Sequence, residues 1–421
     1  MRTPKRFIWI VAALAAAMLA LGAAPAAPDV RVNIITAEEQ AETTLVINPT
    51  NPQNLFAAWR DLRAGRAGIG YAASFDGGVT WSGGIVDDPA ADIQYDPSVA
   101  ADLLGNFYLA YGVDTPPPVI LSKTLVVKST DGGLTLGTPV SAGPFVDKPF
   151  IGVDRLSNAV YVAGNAPAAR GQGGDLFITR SSDGGATFGP LVKAGNNIGA
   201  VNAPAFGPNG EVYLAWPHYK GKARKVLFNR SLDGGVTWMS KDVEVNSVKN
   251  TPSLLNGGID AGHLVAIAAD AGAGPSGGNI YIVWHTGGNG GEDVVLSRST
   301  DGGTTWSAPM RINDDPTGTS TDQFLPWVNV DDAGRVLVTW LDRRDDPANV
   351  AFGLYLAVST NGGVTFVPNV RISDGSFAPS PSTVFVGDYN QGDARGGVFH
   401  AIWADGRNGN MDVFTEAVPV P

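Results

Sequence analysis

Three segments share one arrangement of charged and aromatic residues: Trp59-Arg-Asp61-Leu-Arg63, Trp340-Leu-Asp342-Arg-Arg344 and Trp403-Ala-Asp405-Gly-Arg407. A guanidinium grips a carboxylate with two parallel N–H bonds, so arginines recurring at equivalent positions would suit an acidic ligand. The same spacing also lets each arginine brace the aspartate two residues before it, and both readings stand at this point. Gly387-Asp388-Tyr389 supplies a carboxylate beside a phenol, and Asp96 lies fifteen residues before Tyr111 as Asp388 lies fifteen before Trp403. An aspartate in a confined site can serve as a general acid. His218, His263 and His285 follow strand-like segments; their spacing carries no metal signature, and we assign neither a metal nor a cofactor.

These residues must be positioned by strands. The 421-residue chain holds 54 Gly and 29 Pro, which disfavour helix interiors. Hydrophobic residues reach 44% and charged residues only 16%, enough apolar matter for a large core. One pattern recurs six times: Ser74-Phe-Asp-Gly-Gly-Val-Thr-Trp81, then around Asp131, Asp183, Asp233, Asp301 and Asn361. The intervals of 55, 52, 50, 68 and 60 residues are those of a propeller or solenoid. In each copy Asp or Asn accepts backbone N–H groups of a hairpin turn, and the paired glycines adopt positive φ.

A second pattern, an alternating strand that usually ends in an aromatic, occurs seven times, from Phe56-Ala-Ala-Trp59 to Val398-Phe-His-Ala-Ile-Trp403. Seven strands against six turns predict an all-β, seven-bladed β-propeller over residues 29–421, with six blades as the alternative. The seventh unit lacks an outer strand. The orphan Arg31-Val-Asn-Ile-Ile35 would fill it and pair beside residues 411–418. Of ten tryptophans, only Trp327 falls outside the repeats and the N-terminal apolar run.

The S-x-D-G-G-x-T-W copies resemble the Asp-box, or BNR, repeat of sialidase-like propellers. That resemblance implies that Asp76, Asp131, Asp183, Asp233, Asp301 and Asn361 are structural turns on the face opposite the ligand mouth. It places Arg63, Arg344 and Arg407 near the mouth on three adjacent blades, like the arginine cluster with which sialidases hold a carboxylate. It also suggests Asp388, Tyr389 and Asp96 as catalytic candidates, Tyr389 as a nucleophile beside a carboxylate. The chain departs from the catalytic family in lacking an F/Y-R-I-P segment before the first box and any visible Tyr–Glu pair; Glu38, Glu39 and Glu42 cluster near the N-terminal strand.

Residues 1–28 read as an export signal: Arg2, Lys5 and Arg6, then an uncharged run to Ala24 and a small-residue cleavage site. An uncleaved anchor is the other reading of that run. With no cysteine, disulfides and thiol chemistry are excluded. Loss of the signal leaves 26 basic residues against 40 acidic, a field that repels nucleic acid. The expectation is a secreted, periplasmic or cell-surface monomer, without a membrane span once the signal is removed, whose mouth takes a glycan or other extracellular polymer. It would act as a glycoside hydrolase on an acidic sugar, as a non-catalytic scaffold, or as a metal-assisted polysaccharide lyase.

Overall fold

In the computed structural model the described residues are 28–421, except 36–38, 63–66, 87–90, 117–121, 167–174, 198, 201–202, 221–222, 250–251, 253, 262–264, 289 and 381–384. Residues 1–27 of the stretch read as an export signal, with Glu38, Arg63 and His263, lie outside them. The chain forms a seven-bladed β-propeller, each blade an antiparallel meander of four strands running from the axis outward. Among the described residues no helix is long and apolar enough to cross a membrane.

The last blade is assembled from both ends of the sequence. Its strands Asp393–Arg395, Val398–Asp405 and Asp412–Pro419 are completed by Val30–Arg31 on the outside, with Val30 opposite Thr415 and Arg31 opposite Phe414. The orphan strand is thus shorter than residues 31–35. Val32 still donates to the Val413 carbonyl at 2.8 Å, and the Asn33 side chain then takes over, accepting the Val413 N–H and donating to Asp412. Pairing gives way to side-chain bonding because the chain must turn inward to reach Gln40–Ile47, the inner strand of blade one. That strand in turn pairs in parallel with Asn390–Gln391, so the first blade contacts the seventh at the axis as well.

Apolar layers fill the spaces between neighbouring blades. Trp216, Trp284, Trp340 and Trp403, which lie within the second strands, are almost fully buried. Truncating one of these to alanine would cost about 3–5 kcal/mol. The glycine-rich turns add a second blade-to-blade contact. In the first, Ser74 donates to Asp76 and accepts from Gly78 N–H, while Asp76 accepts the Thr80 amide at 2.9 Å and hydroxyl at 2.6 Å. The first glycine's carbonyl then accepts a bond from the preceding blade: Asn54 to Gly132, Tyr108 to Gly184, Tyr161 to Gly234, Arg298 to Gly362. The closing apolar residues Trp81, Leu136, Phe188, Trp238, Trp306 and Phe366 pack on these interblade layers.

The threonine donors hold the carboxyls of Asp76, Asp131, Asp183 and Asp301 at about 2. For Asp233 burial is the largest single effect and raises the carboxyl, but the hydrogen bonds from Ser231 and Thr237 together outweigh it and bring it to about 2. A depressed carboxyl stabilises the fold above the unfolded value, near 3.9, and the contribution fades as pH falls through about 2. In the sixth turn Asn361 reverses one bond, its Nδ2 donating to Thr365 Oγ1 at 2.8 Å while Oδ1 keeps the amides.

Two outcomes are expected. A variant lacking residues 28–35 exposes the Phe414–Thr415 edge and should melt lower and aggregate, read by calorimetry and light scattering; a monodisperse product with unchanged melting would sink this account of closure. Asp233→Ala should cost about 1 kcal/mol. Asp233→Asn should recover most of that loss at pH 7, because Asn361 already serves the same turn.

Candidate functional site

The axis is built by period-two alternation along the inner strands. Four of those strands begin with a register shift, at Ala41/Thr44, Tyr95/Ser98, Asp147/Phe150 and Phe324/Trp327. Within each shift one non-glycine residue takes a left-handed backbone: Glu42 (φ 55°), Asp96 (50°), Lys148 (50°) and Leu325 (49°). Three of them precede proline, which disfavours that conformation further. Such strain costs of order 1–3 kcal/mol per residue and persists where surroundings over-determine it.

The surroundings here are charges. Asp96 N–H donates to Glu42 Oε2 at 3.3 Å, and Lys148 N–H donates to Asp96 Oδ2 at 2.9 Å, so each carboxyl caps the bulge of the next blade. Gly387 closes the circle: a Cβ there would lie 2.5 Å from the Glu42 amide nitrogen, so only glycine fits. The Lys148 ammonium then reaches Asp96 Oδ1 at 3.2 Å, Glu42 Oε1 at 3.7 Å and the Asp388 carboxylate. Arg60 Nη1 stands 3.8 Å from Glu42 Oε1. Glu42 is sealed, with 1% of its side chain exposed, whereas Lys148 and Asp388 keep 11% and 15% open toward the mouth.

Electrostatics divide the carboxyls. Burial and the neighbouring Asp96 charge push Glu42 well above the ordinary range, Lys148 and Arg60 offsetting only part of that. Burial raises Asp96 too, but Lys148 and the hydrogen bond from Glu42 bring it below its usual value. The two neighbouring carboxyls are thus pushed in opposite directions, Glu42 up and Asp96 down. Burial lowers Lys148, yet Asp96, Asp388, Glu42 and Asp147 outweigh it and fix the ammonium. Asp147 at the rim is raised to about 6 by burial, with Asp96 and Asp388 adding to the rise.

The next layer inward carries Thr44, Ser98, Phe150, Trp327 and Tyr389. Phe150 meets Tyr389 edge-on at 4.9 Å and Trp327 at 6.2 Å, an aromatic plug across the axis. Tyr389 is 2% exposed, its hydroxyl donates to the Pro97 carbonyl at 2.8 Å, and burial raises it well above 10. The phenol expected as a nucleophile is buried with its hydroxyl engaged by a backbone carbonyl, and the Lys148 ammonium stands 5.9 Å over its ring. Trp327 serves the plug as well.

Asp96 and Asp388 do come together, on the two sides of one ammonium. Arg344 and Arg407 do not join them. Arg344 Nε donates to Asp342 at 2.9 Å, its other nitrogens bond Asp314 and Asn369, and its guanidinium lies 4.4 Å over Tyr355. Arg407 repeats this with Asp405 at 2.7 Å, with Asp29, and over Phe414 at 4.3 Å. Trp340 and Trp403 indoles donate to the same two aspartates. The Trp-x-Asp-x-Arg segment in blades six and seven is an internal bracket whose arginine also ties neighbouring loops. His285 is buried and His218 half-buried, and among the described residues no group of three or more acids and histidines forms a metal-binding set.

Sequence reasoning missed Lys148, Glu42 and Arg60. One signal was available: Asp96-Pro97, Lys148-Pro149 and Leu325-Pro326 each open an inner strand, the first two 52 residues apart, the interval of the repeat itself.

No family model matches the chain, and no curated protein matches it in sequence. Among solved structures it is similar to a Dyadobacter fermentans protein of unknown function, with TM-score 0.54 and 15% identity over 94% of this chain and 99% of that one. It is similar to a PL25 ulvan lyase bound to -[GlcA(1-4)Rha3S]-, with TM-score 0.55 and 12% identity over 93% and 96%. The NanB sialidase of Streptococcus pneumoniae gives 0.52 and 12% over 83% and 71%. At these identities the likeness is one of fold.

The raised Glu42 carboxyl sets a pH test. A glutamate raised on folding stabilises below its unfolded value, near 4.3, and loses that contribution as pH rises through its folded value. Glu42→Gln should therefore gain melting temperature over the parent at pH 8.5 relative to pH 5; a constant difference across that range would contradict a raised Glu42. Lys148→Met leaves the carboxyls uncompensated and should cost about 3–5 kcal/mol.

Proposed function

We propose that this chain is an exported, carbohydrate-recognising Asp-box propeller whose mouth floor is the Glu42–Asp96–Lys148–Asp388 cluster. The observation that carries the reading is a charged constellation held on strained backbone at the axis, with Lys148 and Asp388 partly exposed. An open carboxylate beside an ammonium offers acceptor and donor together, the pattern that adjacent sugar hydroxyls require. The S-x-D-G-G-x-T turns and the likeness in fold to a lyase and a sialidase support a carbohydrate ligand by analogy only.

Recognition of an acidic sugar through the arginines is disfavoured for Arg344 and Arg407, because a ligand carboxylate would have to displace Asp342 and Asp405. Arg63 stays a rim candidate. We therefore assign the contact to Lys148 and Asp388, with Asp96 orienting the ammonium. A second reading, glycosidic hydrolysis, is favoured by the adjacency of Glu42 and Asp96 around Lys148, with Glu42 raised and Asp96 lowered, since two carboxyls with separated affinities are the equipment of acid–base work. Tyr389 takes no chemical role in either reading.

The test is an array of neutral and acidic glycans, followed by fluorogenic glycosides including sialosides, with the parent, Asp388→Asn and Glu42→Gln. Saturable binding that weakens at least about tenfold in Asp388→Asn, at near-parent melting, is the expected result. Turnover abolished by Glu42→Gln would establish the hydrolase; binding unchanged by Glu42→Gln with no turnover would establish the scaffold. No glycan bound, or binding indifferent to Asp388→Asn, would overturn the proposal.

A further inference from the structure

Below the aromatic plug the axis opens again. A cavity of about 470 Å³ lies between the inner strands on the face of the glycine-rich turns, with Trp327 in its wall and Val46, Ala100, Phe206, Ala268 and Val330 among its lining. Phe150, Trp327 and Tyr389 stand between it and the Lys148 cluster, so it is separate from the mouth. Its size falls in the range of small-molecule sites, roughly 300–1,000 Å³.

The opening carries an unusual ion arrangement. Asp332, in the turn after the inner strand of blade six, holds Arg155 of blade three with one carboxylate oxygen at 3.1 Å. The other oxygen holds Arg395 of blade seven at 3.2 Å. Two guanidiniums from separate blades thus converge on a single carboxylate, itself 43% exposed. The other acids of this rim are committed elsewhere. Asp331 takes Arg335, Asp154 takes Leu156 N–H and Ser157, and Asp270 takes Gly272 N–H and Ser276. Asp393 accepts the amides of Ile47 and Ala394 and is a buried, second acid within electrostatic reach of Arg155 and Arg395. Arg395 Nε is buried and has no hydrogen-bond partner among the described residues. Beside Arg155, Leu156 is 65% exposed.

We propose that this cavity is a second ligand site, for a small organic anion with an apolar body, whose carboxylate takes the place of Asp332 between Arg155 and Arg395. The apolar wall accepts the body, and the paired guanidiniums select an anion over a cation or an alcohol. Asp332 is then a built-in competitor that occupies the anion position until a ligand enters. No step of this depends on the mouth or on carbohydrate recognition.

The proposal is tested by titrating the purified protein with octanoate in a calorimeter, with octylamine and octan-1-ol as controls. Octanoate should bind saturably at one site and more weakly as salt rises, and the controls should not. Arg155→Gln, an exposed change, should weaken octanoate about tenfold with melting unchanged. Asp332→Asn should act in the opposite direction and tighten it severalfold, a response that a merely structural bridge would not give. Ala268→Phe fills the cavity and should abolish binding; if that variant does not fold, the opposed effects of the first two still decide. No saturable octanoate binding, equal binding of octylamine, or binding unmoved by both Arg155→Gln and Asp332→Asn would overturn the proposal.

Discussion

Closing seven sheets into a ring forces seven inner strands onto one axis, and the rest of the molecule answers to that crowding. A ring tolerates no free edge at its seam, and here the seam is held by two residues, Val30 and Arg31, with the Asn33 side chain extending the pairing. The closure is short but is reinforced at the axis, where Asn390–Gln391 runs parallel to the first blade's inner strand. Between blades the cohesion is ordinary apolar burial, fixed in register by turn glycines whose carbonyls are claimed by the preceding blade.

At the axis, alternation stacks side chains in layers. The uppermost layer is ionic, the next mostly aromatic, and the third lines a cavity. An ion layer so near the centre of a fold is unfavourable unless each charge is compensated. Lys148 meets this by facing three carboxyls at once, and Glu42 by a proton affinity raised well above the ordinary range. The bulges that deliver these groups cost backbone strain, which the carboxyl-to-amide bonds from blade to blade offset. Strain and charge are thus concentrated where the molecule is still open to solvent.

The two ends of the axis are chemically unlike. The upper end pairs one ammonium with several carboxyls and suits hydroxyl-rich matter. The lower end pairs two guanidiniums with one carboxylate over an apolar chamber. The aromatic plug keeps them apart, so a variant at one end reports little on the other.

What the sequence determined alone was everything governed by local periodicity. Six Ser-x-Asp-Gly-Gly-x-Thr turns need only residues a few positions apart, and Asp76, Asp131, Asp183, Asp233, Asp301 and Asn361 bond within their own loops. The seven alternating strands gave the blade number, and the orphan strand gave the closure, overlong because side-chain bonding beyond Val32 leaves no periodic trace. The candidate site was legible only in part. Asp96 and Asp388 were visible by register, but Lys148 and Glu42 were not, since their importance lies in contacts spanning 52 to 240 residues. The arginines illustrate the converse: their repetition is real in sequence, but only the fold showed that Arg344 and Arg407 turn back onto Asp342 and Asp405. Local spacing fixes which atoms can meet within a turn; which charges meet at an axis is decided by the curvature of the whole ring, which no single segment encodes.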